Sequence, residues 1–103
     1  MNREEPKSGE IWKHFNGEYY KILCIGHHSE TKEKIVVYFW YKLTTNLSEL
    51  EPCITPLEIF MSEVDHEKYP NVKQKYRFKK VQDEDIGKML WQIHQKAFGK
   101  VEK

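Results

Sequence analysis

The segment that decides the fold runs from Tyr19 to Leu43 and reads YYKILCIGHHSETKEKIVVYFWYKL. Its two arms are rich in β-branched and aromatic residues, whereas its centre, residues 27–34, contains no apolar residue. This pattern is typical of a β-hairpin, because β-branched and aromatic side chains suit a pleated surface and polar residues suit an exposed turn. The sequence therefore predicts two antiparallel strands joined at this apex.

The second arm is apolar on both faces, since successive side chains of a strand point to opposite sides of a sheet. One face carries Val36, Tyr38 and Trp40, and the other carries Ile35, Val37, Phe39, Tyr41 and Leu43. A strand with two apolar faces must be covered on both sides. We therefore expect this strand at the centre of the core, with Val37 buried.

Further strands are predicted on either side of the hairpin. Residues 10–15 have β-type side chains and end at Asn16-Gly17, a dipeptide that supplies positive φ for a tight turn. Residues 53–55 and 76–81 suit two more short strands, and the proline at position 56 opens a single helical turn. The predicted fold is mainly β, a small β-barrel of five or six short antiparallel strands.

A C-terminal α-helix is predicted after the last strand. Ile86, Met89, Leu90 and Ile93 recur at helical spacing, so this stripe is expected to dock on the barrel. The predicted organisation is a flexible lead-in at 1–8, the barrel at 9–81, the packed helix at 82–99 and a tail at 100–103.

Composition excludes several classes of function. The 103 residues suit one domain, and the net charge of +1 argues against a generally basic protein, so any contact with nucleic acid has to be a local patch. The longest apolar run, Ile35–Tyr41, is far shorter than the ~20 residues of a membrane span. Because the N-terminus is polar and the cysteines lack CxxC spacing, we expect a cytoplasmic location with reduced thiols and no membrane contact.

Residues for catalysis or metal binding are weakly represented. Cys24 and Cys53 lie in apolar sequence and form no CxxC pattern, so we predict no metal, no cofactor and no catalytic residue. The alternative is a small enzyme that uses His14, His28 and Glu30. The structural explanation of the HSET apex is a turn in which side-chain hydroxyls bind backbone N–H groups.

One segment has the composition of a surface for single-stranded nucleic acid. Residues 73–80 contain five positive charges and no negative ones, interleaved with two aromatic rings. Lys and Arg bind phosphates, and bases stack on rings. The candidate contacts are Lys73, Lys75, Tyr76, Arg77, Lys79 and Lys80. The alternative is an edge strand whose charges prevent pairing with other chains, and the following acids, Asp83–Asp85, would repel phosphates.

The predicted helix carries another candidate surface. Gly87, Trp91, His94 and Phe98 form a wedge beside the docking stripe, and this makes the apolar arc wider than docking requires. The wedge is either core or a contact surface for a protein partner or a second copy of the chain. The sequence favours a protein-interaction or structural module over an enzyme. The candidate partner surface comprises His14, His28, Glu30, Tyr38, Trp40, Trp91, His94 and Phe98.

Five short motifs occur in a specific order along the chain. They are WKHFNG at Trp12–Gly17, HSET at His28–Thr31, VVY at Val36–Tyr38, PLEIF at Pro56–Phe60 and YRF at Tyr76–Phe78. This combination resembles the bacterial family called domain of unknown function 1653. The resemblance implies a small SH3-like β-barrel over residues 9–81 and no established activity.

The chain departs from that family pattern at two polar positions. Thr55 stands where the family usually has Arg, and Phe39 stands where it usually has Gln. If those side chains form a ligand site in relatives, the resemblance implies that the site is altered here. The terminal helix lies outside the family pattern.

Overall fold

The computed structural model describes residues 3–41 and 51–98 of the chain. The strands are β1 (Ile11–His14), β2 (Tyr19–His27), β3 (Lys34–Trp40), β4 (Cys53–Pro56) and β5 (Phe78–Lys80). A one-turn helix α1 (Leu57–Phe60) follows β4, and a 3-10 turn (Asp83–Asp85) leads into helix α2 (Ile86–Phe98). The predicted strand end at Leu43 and the predicted tail at 100–103 lie outside the described residues.

The five strands form one antiparallel sheet in the order β4-β3-β2-β1-β5. The predicted hairpin is the β2–β3 pair, and the tight turn at Asn16-Gly17 joins β1 to β2 with Gly17 at φ 95°. A mainly β domain with a C-terminal helix is thus confirmed. The SH3-like barrel stays a prediction, since β4 and β5 are the two edges of the sheet and do not pair with each other in the described residues.

The main core lies on one face of the sheet. Its buried side chains come from four strands and from α1, and they are Trp12, Ile22, Val36, Tyr38, Phe60 and Phe78. Phe60 of α1 stacks on Phe78 with ring centroids 3.9 Å apart, so the single helical turn closes the core over β5. The apolar side chains of the hairpin arms are thus needed to form the core that this turn covers.

Helix α2 packs against the opposite face of the sheet. Met89 and Ile93 of the helix are buried together with Ile11 and Tyr19 of the sheet. Tyr19 also donates a hydrogen bond of 2.7 Å to Gln92 Oε1. The predicted docking is confirmed for Met89 and Ile93.

Three sequence predictions about burial are wrong. Val36, not Val37, is the fully buried valine, because Val36 shares the core face with Ile22 while Val37 faces the other side and is half-buried. Leu90 is 38% exposed on the outer side of α2. Cys24 and Cys53, expected in apolar surroundings, are both exposed free thiols.

The register of β2 changes at Leu23. Ile22 pairs with Tyr38 and Cys24 pairs with Val37, so Leu23 is an extra residue in β2 and is 48% exposed. Such a bulge shifts every later side chain of the strand to the other face. Ile25 therefore packs on the core. The sequence does not predict which face of the sheet Ile25 occupies, because residues 22–25 are all apolar.

The N-terminal segment contacts the sheet from residue 3 onward. Pro6 is among the most buried side chains, and the Gly9 amide donates a hydrogen bond of 2.8 Å to the Ile22 carbonyl. The Arg3 guanidinium donates to the carbonyls of Met61 and Phe78, each at 2.8 Å. These hydrogen bonds hold the positive side chain of Arg3 at the edge of the sheet formed by β5.

Candidate functional site

A groove of ≈ 890 Å³ lies between the β1–β2 turn and the loop that precedes β5. Among the described residues that line it, five are cationic and none is acidic: the cations are Arg3, Lys13, Lys73, Lys75 and Lys79. The chain as a whole is nearly neutral, at a formal charge of +1. The groove is therefore strongly positive although the chain as a whole is nearly neutral. We call it the basic groove.

Lys13 and Lys79 lie directly opposite each other in the β1–β5 pair. Like charges at such a position destabilise a sheet by a few tenths of a kcal/mol or more, roughly 0.2–1. No ion pair among the described residues neutralises either one. The fold thus places two like charges opposite each other in the sheet, and both residues line the basic groove.

The loop that carries Lys73 and Lys75 is held in place by Gln74. Its Nε2 donates hydrogen bonds to the carbonyls of Tyr76 at 2.9 Å and of Lys13 at 3.2 Å. The carbonyl of Gln74 contacts His66 Nε2 at 3.2 Å. Because Gln74 is tied to β1, the lysines on either side of it are held over the basic groove.

Aromatic rings border the cations. Phe15 lines the groove and contacts Tyr69 with ring centroids 5.1 Å apart. Tyr76 also lines it, and the Arg3 guanidinium lies over that ring at 3.7 Å from its centroid. Rings beside phosphate-binding cations are the composition of surfaces that bind single strands.

The predicted nucleic-acid contacts are only partly brought together. Lys73, Lys75, Tyr76 and Lys79 line the basic groove. Lys80 is excluded from it and makes an ion pair of 3.2 Å with Glu10.

Arg77 also lies outside the basic groove. Its Nε is buried and has no hydrogen-bond partner in the described structure. Burial lowers the pKa of the neighbouring His14, and the positive charge of Arg77 lowers this pKa further. Arg77 is thus close enough to His14 to influence its pKa and does not contribute to the groove.

Sequence reasoning missed two cations that line the groove, Arg3 and Lys13, and one aromatic ring, Phe15. Lys13 and Phe15 belong to the WKHFNG motif, but their position beside residues 73–80 depends on the pairing of β1 with β5. Arg3 reaches the groove through its hydrogen bonds to distant carbonyls. No local pattern indicates either contact.

The three residues of the enzyme hypothesis do not form a site. His14 lies beside the Glu18 end of β2, to which its amide is bonded at 2.8 Å, whereas His28 follows the other end of that strand. Nine residues of extended chain separate these ends by about 25 Å. His28 Nδ1 instead accepts the amide of Glu30 at 3.1 Å, as expected for a turn.

The predicted partner surface is also divided. Tyr38 belongs to the core, where burial raises its pKa and its hydroxyl is 2.8 Å from Thr55 Oγ1. Its assignment to a surface was therefore wrong, and Thr55, at the position where the family usually has Arg, serves the core. Trp40 is 45% exposed, and its indole N–H donates to Glu18 Oε1 at 3.1 Å.

On α2, Trp91 and His94 are exposed, and Trp91 reaches 64%. Their rings are parallel within 3°, with centroids 6.2 Å apart. The side chain of Phe98 lies outside the described residues. Phe39, at the position where the family usually has Gln, is half-buried on the sheet face away from the main core.

Within residues 3–41 and 51–98, no group of three or more histidine, cysteine or acidic side chains is placed to hold a metal ion. No helix in the same ranges is long and apolar enough to cross a membrane.

The fold and the groove define a small, mainly β domain with a C-terminal helix and a concentrated positive surface. The chain belongs to the family described as Protein of unknown function (DUF1653), whose model matches residues 10–80. This match confirms the resemblance seen in the motifs. No curated protein and no solved structure matches the chain.

Proposed function

We propose that this domain binds single-stranded nucleic acid in the basic groove. The observation that carries the proposal is the Lys13–Lys79 pair, two like charges at opposite positions of the sheet that both line a groove with no acidic residue among its described lining. A phosphate between the two ammonium groups would convert their repulsion into attraction. The pair has no benefit for the fold itself, since one acidic residue at either position would stabilise the sheet.

The rings favour a single strand over a duplex. Bases of a single strand are free to stack on aromatic side chains, whereas those of a duplex are already stacked on one another. Phe15 offers one ring at the groove, and the Arg3–Tyr76 pair offers a second stacking surface. Phosphates would then be neutralised by Lys73, Lys75, the facing lysines and the charge of Arg3, all of which line the groove.

The acidic segment Asp83–Asp85 opposes the proposal less than its position in the sequence indicates. These residues form the 3-10 turn that leads into α2, and none of them lines the basic groove. Only Asp85 reaches a neighbouring cleft. The repulsion expected from the sequence therefore reaches the basic groove only through Asp85, which lines that cleft together with Lys13 and Lys79.

The proposal is tested by fluorescence anisotropy with a labelled single strand of about 12 nucleotides and the matching duplex. We expect binding of the single strand at low salt and weaker binding of the duplex. Lys13→Glu should weaken binding at least about tenfold, since it removes a phosphate contact and adds a repulsive charge. The same change should raise the free energy of unfolding by roughly 0.2–1 kcal/mol, because a cross-strand ion pair replaces the repulsion with Lys79.

Lys32→Glu is the matched control, because it makes the same charge change at the exposed hairpin apex, away from the groove. Absence of binding by the unmodified protein at low salt would overturn the proposal. Equal losses in Lys13→Glu and Lys32→Glu would also overturn it, since the effect would then come from total charge alone.

A second candidate function is contact between two copies of the chain through the outer side of α2. Trp91 is 64% exposed there, and one turn earlier the exposed Gly87 presents bare backbone to open space, with nothing within 4 Å of an added Cβ. In a twofold arrangement each Trp91 could pack on the backbone at Gly87 of the other copy. This supports the protein-contact surface that the sequence favours.

Sedimentation across a concentration series tests this second function. Self-association should be weakened by Trp91→Ala and by Gly87→Ala, and neither change should lower the stability of the monomer. A chain that remains monomeric at all concentrations would exclude this arrangement.

A further inference from the structure

A smaller cleft of ≈ 200 Å³ adjoins the basic groove between the sheet and α2. Lys13, Gln74 and Lys79 line both spaces, so the two are direct neighbours. The cleft lies partly under a helix that the family model does not include, since the model ends at residue 80 and α2 begins at Ile86. The helix side of the cleft therefore lies outside the part of the chain that the family model matches.

The charges of the cleft differ from those of the groove. The residues that only the cleft adds include two lysines, and each has an acidic neighbour: Lys80 is paired with Glu10 at 3.2 Å, and Asp85 lines the cleft together with Lys88. With the shared Lys13 and Lys79, four lysines and one carboxylate line the cleft. Asp85 is thus the one acidic residue among the described lining residues, and it provides an acceptor for a ligand group that donates hydrogen bonds.

The walls of the cleft combine apolar surface with hydrogen-bonding groups. Tyr19 and Met89 are buried and form an apolar side. Gln92 Oε1 accepts a hydrogen bond from the Tyr19 hydroxyl, which leaves the side-chain amide nitrogen of Gln92 as a donor. Asp85 is close enough to Tyr19 for its charge to add to burial in raising the pKa of that phenol.

The carboxylate of Asp85 is available to a ligand. No hydrogen bond or ion pair within the described residues engages it. An ionised carboxylate only accepts hydrogen bonds, so it favours a donor and repels another acceptor. Cytosine presents an amino group at C4, whereas thymine presents a carbonyl oxygen at the same place.

We propose that this cleft holds a base of the bound single strand and that Asp85 selects bases with an exocyclic amino group, cytosine above thymine. The inference rests on the proposed function, since the strand reaches the cleft only when its phosphates lie in the basic groove. Gln92 supplies a donor for the base carbonyl, and Asp85 accepts from the amino group. The apolar side formed by Tyr19 and Met89 covers the ring.

The test compares oligodeoxycytidine with oligodeoxythymidine, each of about 12 nucleotides, by anisotropy at one salt concentration. The unmodified protein should bind the cytidine strand about tenfold more tightly, the discrimination expected of one good base contact. Asp85→Asn should remove this preference, because an amide offers a donor and an acceptor at nearly the same size.

Glu84→Gln is the matched control. It makes the same charge change in the same 3-10 turn, yet Glu84 does not line the cleft, so the preference for cytidine should remain. Equal binding of the two strands by the unmodified protein would overturn the inference and leave the proposed function standing. A preference that survives Asp85→Asn would overturn it as well. Failure to bind either strand would overturn the proposed function and the inference with it.

Discussion

The salt dependence of binding can be worked out from the cations that line the basic groove, which are Arg3, Lys13, Lys73, Lys75 and Lys79. Each phosphate that a protein neutralises on a single strand releases condensed counterions and contributes about −0.7 to the slope of log affinity against log salt. Five contacts predict a slope of about −3.5. The affinity should then fall about a hundredfold between about 50 and 200 mM salt.

The perturbation is the triple change Lys13→Gln, Lys75→Gln and Lys79→Gln. It leaves two of the five cations, so the slope should drop to about −1.4. If the counterion contribution vanishes near 1 M salt, the variant should bind about a hundredfold more weakly than the unmodified protein at about 0.1 M salt. The variant should remain folded, because the change removes the repulsion between Lys13 and Lys79 and none of the three side chains is buried.

The assay is anisotropy over a series of salt concentrations, with thermal unfolding by circular dichroism as the check on folding. The control triple variant changes Lys7, Lys32 and Lys34 to Gln; these exposed lysines lie outside the groove, and the exposed ion pair of Lys34 with Glu5 contributes little. The slope should stay near that of the unmodified protein in this control. A groove variant that keeps the full slope, or a control that loses as much, would refute the reasoning.

Three further outcomes are expected of the fold. Val36→Ala should cost about 2 kcal/mol in urea denaturation, because it leaves a cavity in the main core, and Val37→Ala should cost less than half of that; equal costs would contradict the register. Burial lowers the pKa of His14, so the unfolded chain binds a proton more readily than the folded protein, and the free energy of unfolding should fall as pH drops below about 6.5. His14→Gln should flatten the dependence of this free energy on pH between about pH 7 and 5. An unchanged pH dependence would exclude this role of His14. Trp91→Ala should change the free energy of unfolding by less than about 0.5 kcal/mol, whereas Met89→Ala should lower it by about 2–5 kcal/mol. A large loss of stability in Trp91→Ala would place Trp91 in the core.

The sequence by itself determines the local elements. The β2–β3 hairpin follows from two β-type arms around a polar apex, and the β1–β2 turn follows from Asn16-Gly17, whose glycine adopts positive φ. The period of Met89 and Ile93 indicates which side of α2 docks. These signals are readable because hydrogen-bonding pattern, turn chemistry and side-chain period act over a few neighbouring residues.

Tertiary structure alone decided which face is the core and where the candidate site lies. β3 is apolar on both faces, so alternation could not choose between Val36 and Val37; the packing of α1 on one face and α2 on the other made that choice. Lys13 and Lys79 stand far apart in the chain and meet only because β1 pairs with β5. Pairing between distant strands depends on the free energy of the whole packed sheet, and no local pattern of residues contains that information.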